Sequence, residues 1–447
     1  MGADMAFLKG QTAMTRTHPP LILISLILLT SACSVSTEAD EPIDDSTRST
    51  QATSFDENGN PLAPSEGADN DSQLTGPSAN GSLVAPGASD PDGTVPGGTI
   101  SGGDLNGIQY FGRWDLSSPD GASASWGAVY FTARFTGTSV TLQMQDSKND
   151  FQYRIDGGDM MYLSPGAETE HVLASALEDK EHTLEFYRRS GGSFGRTTVS
   201  GLLVDPGAQV IATERPARKV EIVGDSISVG YGNEGMNSTS RETENGYEAY
   251  GPQYARMVGA QWSVIAHSGQ GMVRNLGEQK DAIAGGTHMP DEFKMTHFPS
   301  SGANPDWDFS SWKPDVLITT LGTNDFSWPQ WDLDPGPAYE LTEEEYVTGY
   351  KAYLTFARSV YPETEIFAVG TFISNSTNQF GRCNKYICQA VSEMNDSKIH
   401  CIDPGFTGET WLAGGSDYIG DWTHPTVEGH TKVAVQLAAV INPIMNW

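Results

Sequence analysis

Basic residues are scarce in this chain: 26 Lys and Arg stand against 57 Asp and Glu over 447 residues, a formal net charge of −31. Such a surface repels phosphate backbones and anionic bilayers, which argues against nucleic acid or anionic membrane surfaces as partners and favours a neutral ligand. Cysteine is equally sparse, four in all at positions 33, 383, 388 and 401, and the spacing fits no zinc pattern. An exported chain would permit one disulfide among Cys383, Cys388 and Cys401 with one thiol over, and the spacing leaves the pairing open. The N-terminal apolar run, Pro19–Thr30, "PPLILISLILLT", is too short to span a bilayer.

That run follows Arg16 and ends at Ser31-Ala32-Cys33, the layout of an export signal. Small residues directly before a cysteine resemble the bacterial lipobox, although Thr30 stands where Leu is usual. The expectation is therefore a signal peptide over residues 1–33, lipidation at Cys33, and an exported protein, either a cell-envelope lipoprotein or secreted. Membrane contact would come only through that anchor. A start at Met14 would make the more ordinary signal. Residues 34–104 are rich in Ser, Gly, Pro, Asp and Glu with Arg48 as their single basic residue, so they cannot bury enough apolar area to offset chain entropy and read as a disordered acidic tether.

From Gly107 to about Ala212, short runs such as "GAVYFTARFTG", "TSVTLQMQ" and "HTLEFYRRS" are broken by Gly, Asp and Ser at short intervals, the pattern of an all-β sandwich. After Arg218, compact apolar runs alternate with longer helical stretches, the signature of an α/β fold with a parallel sheet covered by helices. The expected domains are a β-sandwich over 105–214 and an α/β domain over 215–447. The strand candidates are Val220–Val223, Trp262–Ala266, Val316–Leu321, Ile366–Gly370 and Ile399–Ile402, with helices filling the intervals. One helix announces its start: Thr342 lies three residues before Glu345 in "TEEEY", a reciprocal cap, and the helix should end before Pro362. Ligands of such sheets bind at the C-terminal strand ends, where four short motifs would converge.

Ser226, in "VEIVGDSISVGYGNEG", follows a strand and precedes Gly230 and Gly232, a geometry that suits a nucleophile with a free backbone N–H. Gly-Asp-Ser is also ordinary turn chemistry. Asp421 lies three residues before His424 in "DWTH", so it can accept the Nδ1–H and present Nε2 to a hydroxyl, though Asp, Thr and Pro also spell a helix cap. Asn324 in "GTND" and Gly269 in "HSGQG" each follow a strand; a tight-turn Asn or a Gly-rich turn is common, and their weight comes from joint occurrence. Together the motifs supply a nucleophile, a base with its orienting carboxylate, and three oxyanion donors: the N–H groups of Ser226 and Gly269 and the Asn324 amide. His430 reads as a solvated or packed side chain, and His288 and His297 sit without chemical company. "GGSFG" at Gly191–Gly195 matches the Gly-x-Ser-x-Gly elbow but lacks a following helix, so it reads as a hairpin loop.

This set and order resemble the SGNH hydrolases, or GDSL-type esterases, with blocks matching at Ser226 in "GDSI", Gly269, Asn324 in "GTND" and His424 in "DWTH" over residues 219–447. The β-domain in front, "ENGYEAYGPQYAR" and "AHSGQGMVRN" are similar, more narrowly, to carbohydrate esterase family two. The resemblance implies a jelly-roll-like β-domain before a three-layer α/β/α hydrolase domain, and removal of acetyl groups from xylan- or mannan-type polysaccharides. It implies an acetyl-enzyme formed at Ser226 with neither metal nor cofactor. Some members of that family hold the histidine with a backbone carbonyl, whereas Asp421 is present here at triad spacing.

Trp307, Trp312, Trp328, Trp331, Trp411 and Trp422 lie in the same segments. Core packing is the default for most; Trp328 and Trp422, within a few residues of the motifs, are the candidates for a sugar face. The expected partner is an acetylated polysaccharide or oligosaccharide. The rival readings are a GDSL-type lipid esterase or thioesterase with the same triad and, further off, a non-catalytic polysaccharide-binding surface protein.

Overall fold

The computed structural model describes residues 104–235, 240–302, 304–327, 338, 340–373, 378–405 and 411–447, all within one compact unit, Asp90–Trp447. The expected signal peptide, Cys33 and the tether up to residue 103 lie outside the described residues, as do Trp328 and Trp331. Among the described residues no helix is long and apolar enough to cross a membrane.

The first part of the described chain is built from β1 (Asp104–Leu105), β2 (Ile108–Phe111), β3 (Ala122–Ala124), β4 (Tyr130–Gly137), β5 (Val140–Gln145) and β6 (Phe151–Ile155). It continues through β7 (Met161–Leu163), β8 (Glu170–Ala174), β9 (Lys180–Arg188), β10 (Thr197–Val204) and β11 (Val210–Ile211). They form a seven-stranded sheet, β1-β2-β4-β9-β6-β7 with β11 also on β4, and a four-stranded sheet, β3-β10-β5-β8. Every pairing in both sheets is antiparallel. β5 alternates buried and partly exposed side chains along "VTLQMQ", as a strand with one face on a core must. "GGSFG" is not a hairpin loop. It joins β9 in one sheet to β10 in the other through a single 3-10 turn, Gly192–Phe194, so the chain changes sheets there.

The second part begins with β12 (Arg218–Gly224) and continues with β13 (Ala260–Ala266), β14 (Val316–Thr320), β15 (Glu365–Val369) and β16 (Ile399–Ile402). These five make one parallel sheet in the order β13-β12-β14-β15-β16. Each sequence-predicted strand is present to within two residues at either end. The helices are α1 (Ser226–Val229), α2 (Tyr250–Met257), α3 (Met289–Glu292), α4 (Glu343–Val360), α5 (Asn378–Met394) and α6 (Val427–Met445). α4 starts at Thr342 with the reciprocal Glu345 cap and stops before Pro362. The interval between β13 and β14 departs from expectation: among its described residues the helical elements are only the one-turn α3 and a 3-10 turn. Side chains hold that stretch: Asp325 accepts the N–H groups of Met272, Val273 and Arg274, and Arg113 donates to the carbonyls of Phe293 and Met295. Cys388 of α5 pairs with Cys401 of β16, which settles the open pairing, and Cys383 is a buried free thiol.

The two parts share one hydrophobic core. Trp262 of β13 stacks on Tyr130 of β4 with ring centroids 4.1 Å apart and donates its indole N–H to the carbonyl of Ala128. Arg113, fully buried, reaches from the β-domain to Glu221 of β12 at 3.3 Å and donates to the carbonyls of Phe293 and Met295. The loop after α1 is also fastened to the β-domain, through Arg189 to Glu234, Glu244 to the Gly191 N–H, and the Gly246 N–H to the Arg189 carbonyl.

Candidate active site

β12 ends at Gly224, where a Cβ would lie 1.9 Å from Ser228 Oγ, so only glycine lets the chain turn this tightly into α1. Asp225 caps that turn by accepting the Ile227 N–H at 3.0 Å, and Ser226 is its first residue. The Ser226 N–H has no hydrogen-bond partner among the described residues, as the first donors of a helix do unless capped. Its Oγ stands 2.8 Å from His424 Nε2.

His424 precedes Pro425 and Thr426, and it is Thr426, just beyond the Asp421–Pro425 stretch, that caps α6. Asp421 Oδ2 lies 2.6 Å from His424 Nδ1, and Asp421 Oδ1 accepts the N–H groups of Thr423 and His424 at 2.9 and 3.0 Å. Burial raises the Asp421 carboxyl, but the hydrogen bonds and charge of His424 outweigh it and hold the group below its ordinary range. Ser226, His424 and Asp421 thus form an unbroken hydrogen-bonded relay. The ring of Tyr231 lies 4.7 Å from the imidazole, centroid to centroid.

Asn324 follows β14 and donates from Nδ2 to the Gln270 carbonyl at 2.8 Å, with a longer 3.4 Å contact to Asp225 Oδ2. One amide hydrogen is therefore fixed, and the other is opposed only by the long contact. Gly269 has φ +84°, and a Cβ built there would meet nothing within 4 Å; its glycine is required by the left-handed backbone rather than by crowding. The loop bearing Gly269 is locked to the turn bearing Asn324. Asp325 accepts three successive N–H groups, those of Met272, Val273 and Arg274. Arg274, fully buried, donates back to the carbonyls of Asn324, Asp325 and Ser327.

A cleft of about 550 Å³ exposes these groups to solvent. Ser226, Gly269, Asn324, Asp421, Trp422 and His424 all line it, beside apolar Leu276, Ile373 and Phe380. Trp422 is 63% exposed and adopts φ +59°, an uncommon conformation for an aromatic residue. Trp307 and Trp312 are buried and Trp411 stacks on Phe372. Trp328 lies outside the described residues.

The other histidines divide. His430 is fully buried, accepts the Tyr250 N–H on Nδ1, and is pushed down to about 3 by burial. His288 and His297 do have company, contrary to expectation: His288 Nε2 lies 2.8 Å from Glu278 and His297 3.7 Å from Asp115. Their partners are 10 and 182 residues away, beyond what local spacing reveals. Sequence reasoning missed Asp225, whose buried carboxyl is pushed up to about 7 by burial, although its place beside Ser226 was a signal. It also missed Asp325 and Arg274. Leu276, Ile373 and Phe380 carried no motif at all. Among the described residues no cluster of His, Cys, Asp and Glu is arranged to hold a metal ion.

Two family models match the chain: the carbohydrate esterase 2 N-terminal model over residues 110–213 and the GDSL-like lipase/acylhydrolase model over residues 222–432. A cellulase/esterase of Acetivibrio thermocellus is 32% identical over 351 residues, 76% of this chain and 40% of that protein; the chain thus spans well under half of that relative. An acetylxylan esterase/glucomannan deacetylase of Cellvibrio japonicus is 29% identical over 329 residues, 71% of this chain and 84% of that one. The solved structure of a family two carbohydrate esterase from Clostridium thermocellum in complex with cellohexaose superposes with a TM-score of 0.66 at 29% identity, covering 76% of this chain and 99% of that one.

Proposed function

We propose that the chain is a GDSL-like hydrolase with a carbohydrate esterase 2 N-terminal domain, as the two family models that match it suggest, and that it removes O-acetyl groups from plant cell-wall polysaccharides of the xylan or glucomannan type. The observation that carries this reading is the Ser226–His424–Asp421 relay, which opens into a cleft beside the exposed Trp422. Relatives named acetylxylan esterase/glucomannan deacetylase support the substrate class.

In the proposed reaction, Ser226 Oγ attacks the acetyl carbonyl while His424 Nε2 takes its proton, and Asp421 stabilises the imidazolium through Nδ1. The developing oxyanion accepts from the Ser226 and Gly269 N–H groups and from Asn324 Nδ2. Collapse breaks the ester C–O bond, and the departing sugar oxygen takes the proton from His424 and leaves as the hydroxyl. Water, deprotonated by the same imidazole, then cleaves the acetyl-serine to acetate and restores Ser226. His424 carries the proton in each transfer to and from Ser226, the sugar oxygen and water, and the proton shed as acetic acid ionises goes to solvent.

Trp422 offers a flat face to a sugar ring. A second reading, a lipid esterase or thioesterase, draws on Leu276, Ile373 and Phe380 in the same cleft, which would suit a longer acyl chain. Acetate release from acetylated xylan and acetylated glucomannan, with p-nitrophenyl acetate and octanoate alongside, separates the two. Glycan deacetylation that vanishes in Ser226→Ala supports the first, and octanoate cleavage without glycan activity supports the second. For location we propose export with Cys33 as a lipid anchor; loss of labelled fatty acid in Cys33→Ser tests it.

A further inference from the structure

The turn that carries "GGSFG" has no part in the site above, yet a buried arginine braces it. Arg188, 1% exposed, donates to the carbonyls of Ser190, Gly191 and Gly195 at 3.0, 2.7 and 2.9 Å. A buried guanidinium bonded to carbonyls at both ends of a turn fixes the turn's shape. Half-buried Phe194 of this turn lines an open cleft of about 520 Å³ that shares no residue with the Ser226 cleft.

The walls of this second cleft are fixed as well. Asp146 accepts the N–H groups of Lys148 and Asn149 at 2.9 Å each and the Thr197 hydroxyl at 2.5 Å, which ties the turn after β5 to β10. Arg241 of the hydrolase domain donates to the Lys148 carbonyl at 3.0 Å and to Ser164 Oγ at 3.3 Å, bracing the same turn and the loop before β8 together. A site held in shape before its ligand arrives loses less ordering entropy on binding.

The chemistry of the lining is specific. Phe194 shares the lining with the acids Asp146 and Glu168, the bases Lys148 and Arg196, and Gln145. Two acids balance two bases, within a chain whose formal net charge is −31. An anionic ligand would want surplus cations and a cationic one surplus acids; a balanced ring of donors and acceptors suits a neutral molecule whose hydroxyls both donate and accept. One aromatic face among such groups suits a sugar ring, with its C–H face on the aromatic and its hydroxyls at the polar rim.

We propose that this cleft is a second carbohydrate site, which holds a segment of neutral glycan backbone without cleaving anything from it. The choice of glycan as ligand rests on the polysaccharide reading of the Ser226 site, but the site itself is separate. It would keep the enzyme on the polymer between deacetylation events.

The test uses the full chain carrying Ser226→Ala, run through native gels containing deacetylated glucomannan or unsubstituted xylan. The expected result is retardation by at least one glycan, weakened about tenfold in apparent affinity by adding Phe194→Ala, the effect of removing an aromatic anchor. The exposed pair Gln145→Ala with Glu168→Ala, which leaves Arg188 and the turn untouched, should weaken it as well and decides the matter should Phe194→Ala not fold. In the otherwise wild-type chain, both variants should hydrolyse p-nitrophenyl acetate at the parental rate. Equal retardation of all variants, or none by either glycan, overturns the proposal and leaves deacetylation standing. Conversely, Phe194-dependent retardation in the Ser226→Ala chain, beside a wild-type chain that releases no acetate from acetylated glycans, supports the second site and sinks the deacetylase reading alone.

Discussion

His424 Nε2 lies 2.8 Å from Ser226 Oγ, although 198 residues separate the two in sequence. The contact exists because β12 and α6 deliver the first turn of one helix and the residues before the cap of another to the same rim of the sheet. Asp421 completes it from within the same loop, at 2.6 Å from Nδ1.

Asp421→Asn keeps the shape but offers an amide in place of an acceptor carboxylate, so His424 loses both its tautomer preference and the charge that stabilises its protonated form. We expect kcat on p-nitrophenyl acetate to fall roughly a thousandfold with KM little changed. A loss below about tenfold would mean that another group orients the imidazole.

Asn324→Ala removes one of the proposed oxyanion donors, which should cost roughly 3 kcal/mol of transition-state stabilisation, about two orders of magnitude in kcat. The fold should survive, since the variant leaves the Asp325 and Arg274 lock in place. Near-native turnover by a variant with an unchanged unfolding midpoint would remove Asn324 from the oxyanion assignment.

Trp422→Ala should separate polymer from small ester. The ring stands exposed at the cleft, so its loss is expected to raise KM for acetylated glycan by about tenfold while kcat on p-nitrophenyl acetate stays within about twofold. Equal losses on both substrates would instead point to a disturbed Asp421–His424 loop.

Arg113→Ala would leave Glu221 buried in β12 without its cation, with only the hydroxyls of Tyr361 and Ser263 as partners. Breaking a buried pair from one side costs about 3–5 kcal/mol, and because this pair joins both domains, the whole unit should unfold earlier in urea as one transition. A separate early transition confined to the β-domain would show that the shared core is not cooperative.

Acid should weaken the fold through His430. Its folded-state value, about 3, lies below the ordinary 6.5, so between those values the unfolded chain binds a proton that the native chain does not, and stability falls as pH drops below 6.5. The slope approaches about 1.4 kcal/mol per pH unit. Asp225 and Glu244, both pushed up to about 7 by burial, act in the opposite sense, so the measurement is a difference: His430→Gln should lose stability less steeply than wild type between about pH 6 and 4. Parallel slopes would contradict it.

Much of this site was legible because its signals are local. Ser226 sits where an apolar run meets Gly-Asp-Ser, Asp421 and His424 share one loop, and Asn324 and Gly269 each close a strand. The Thr342–Glu345 cap and the five strands were equally readable, since capping and apolar clustering act over a few residues. The stretch between β13 and β14 was not, because long-range side-chain bonds replace helices there. Arg274 holds the turn after β14, and Arg113 comes from the other domain.

Local residue chemistry thus fixed which groups could react and which segments would be strands or capped helices. The tertiary structure alone decided that Cys388 meets Cys401, that Leu276, Ile373 and Phe380 wall the Ser226 cleft, and that "GGSFG" is a corner between sheets with Phe194 lining a second cleft. Those outcomes depend on residues brought together from far apart by a shared core and by buried charges, and no local spacing encodes them.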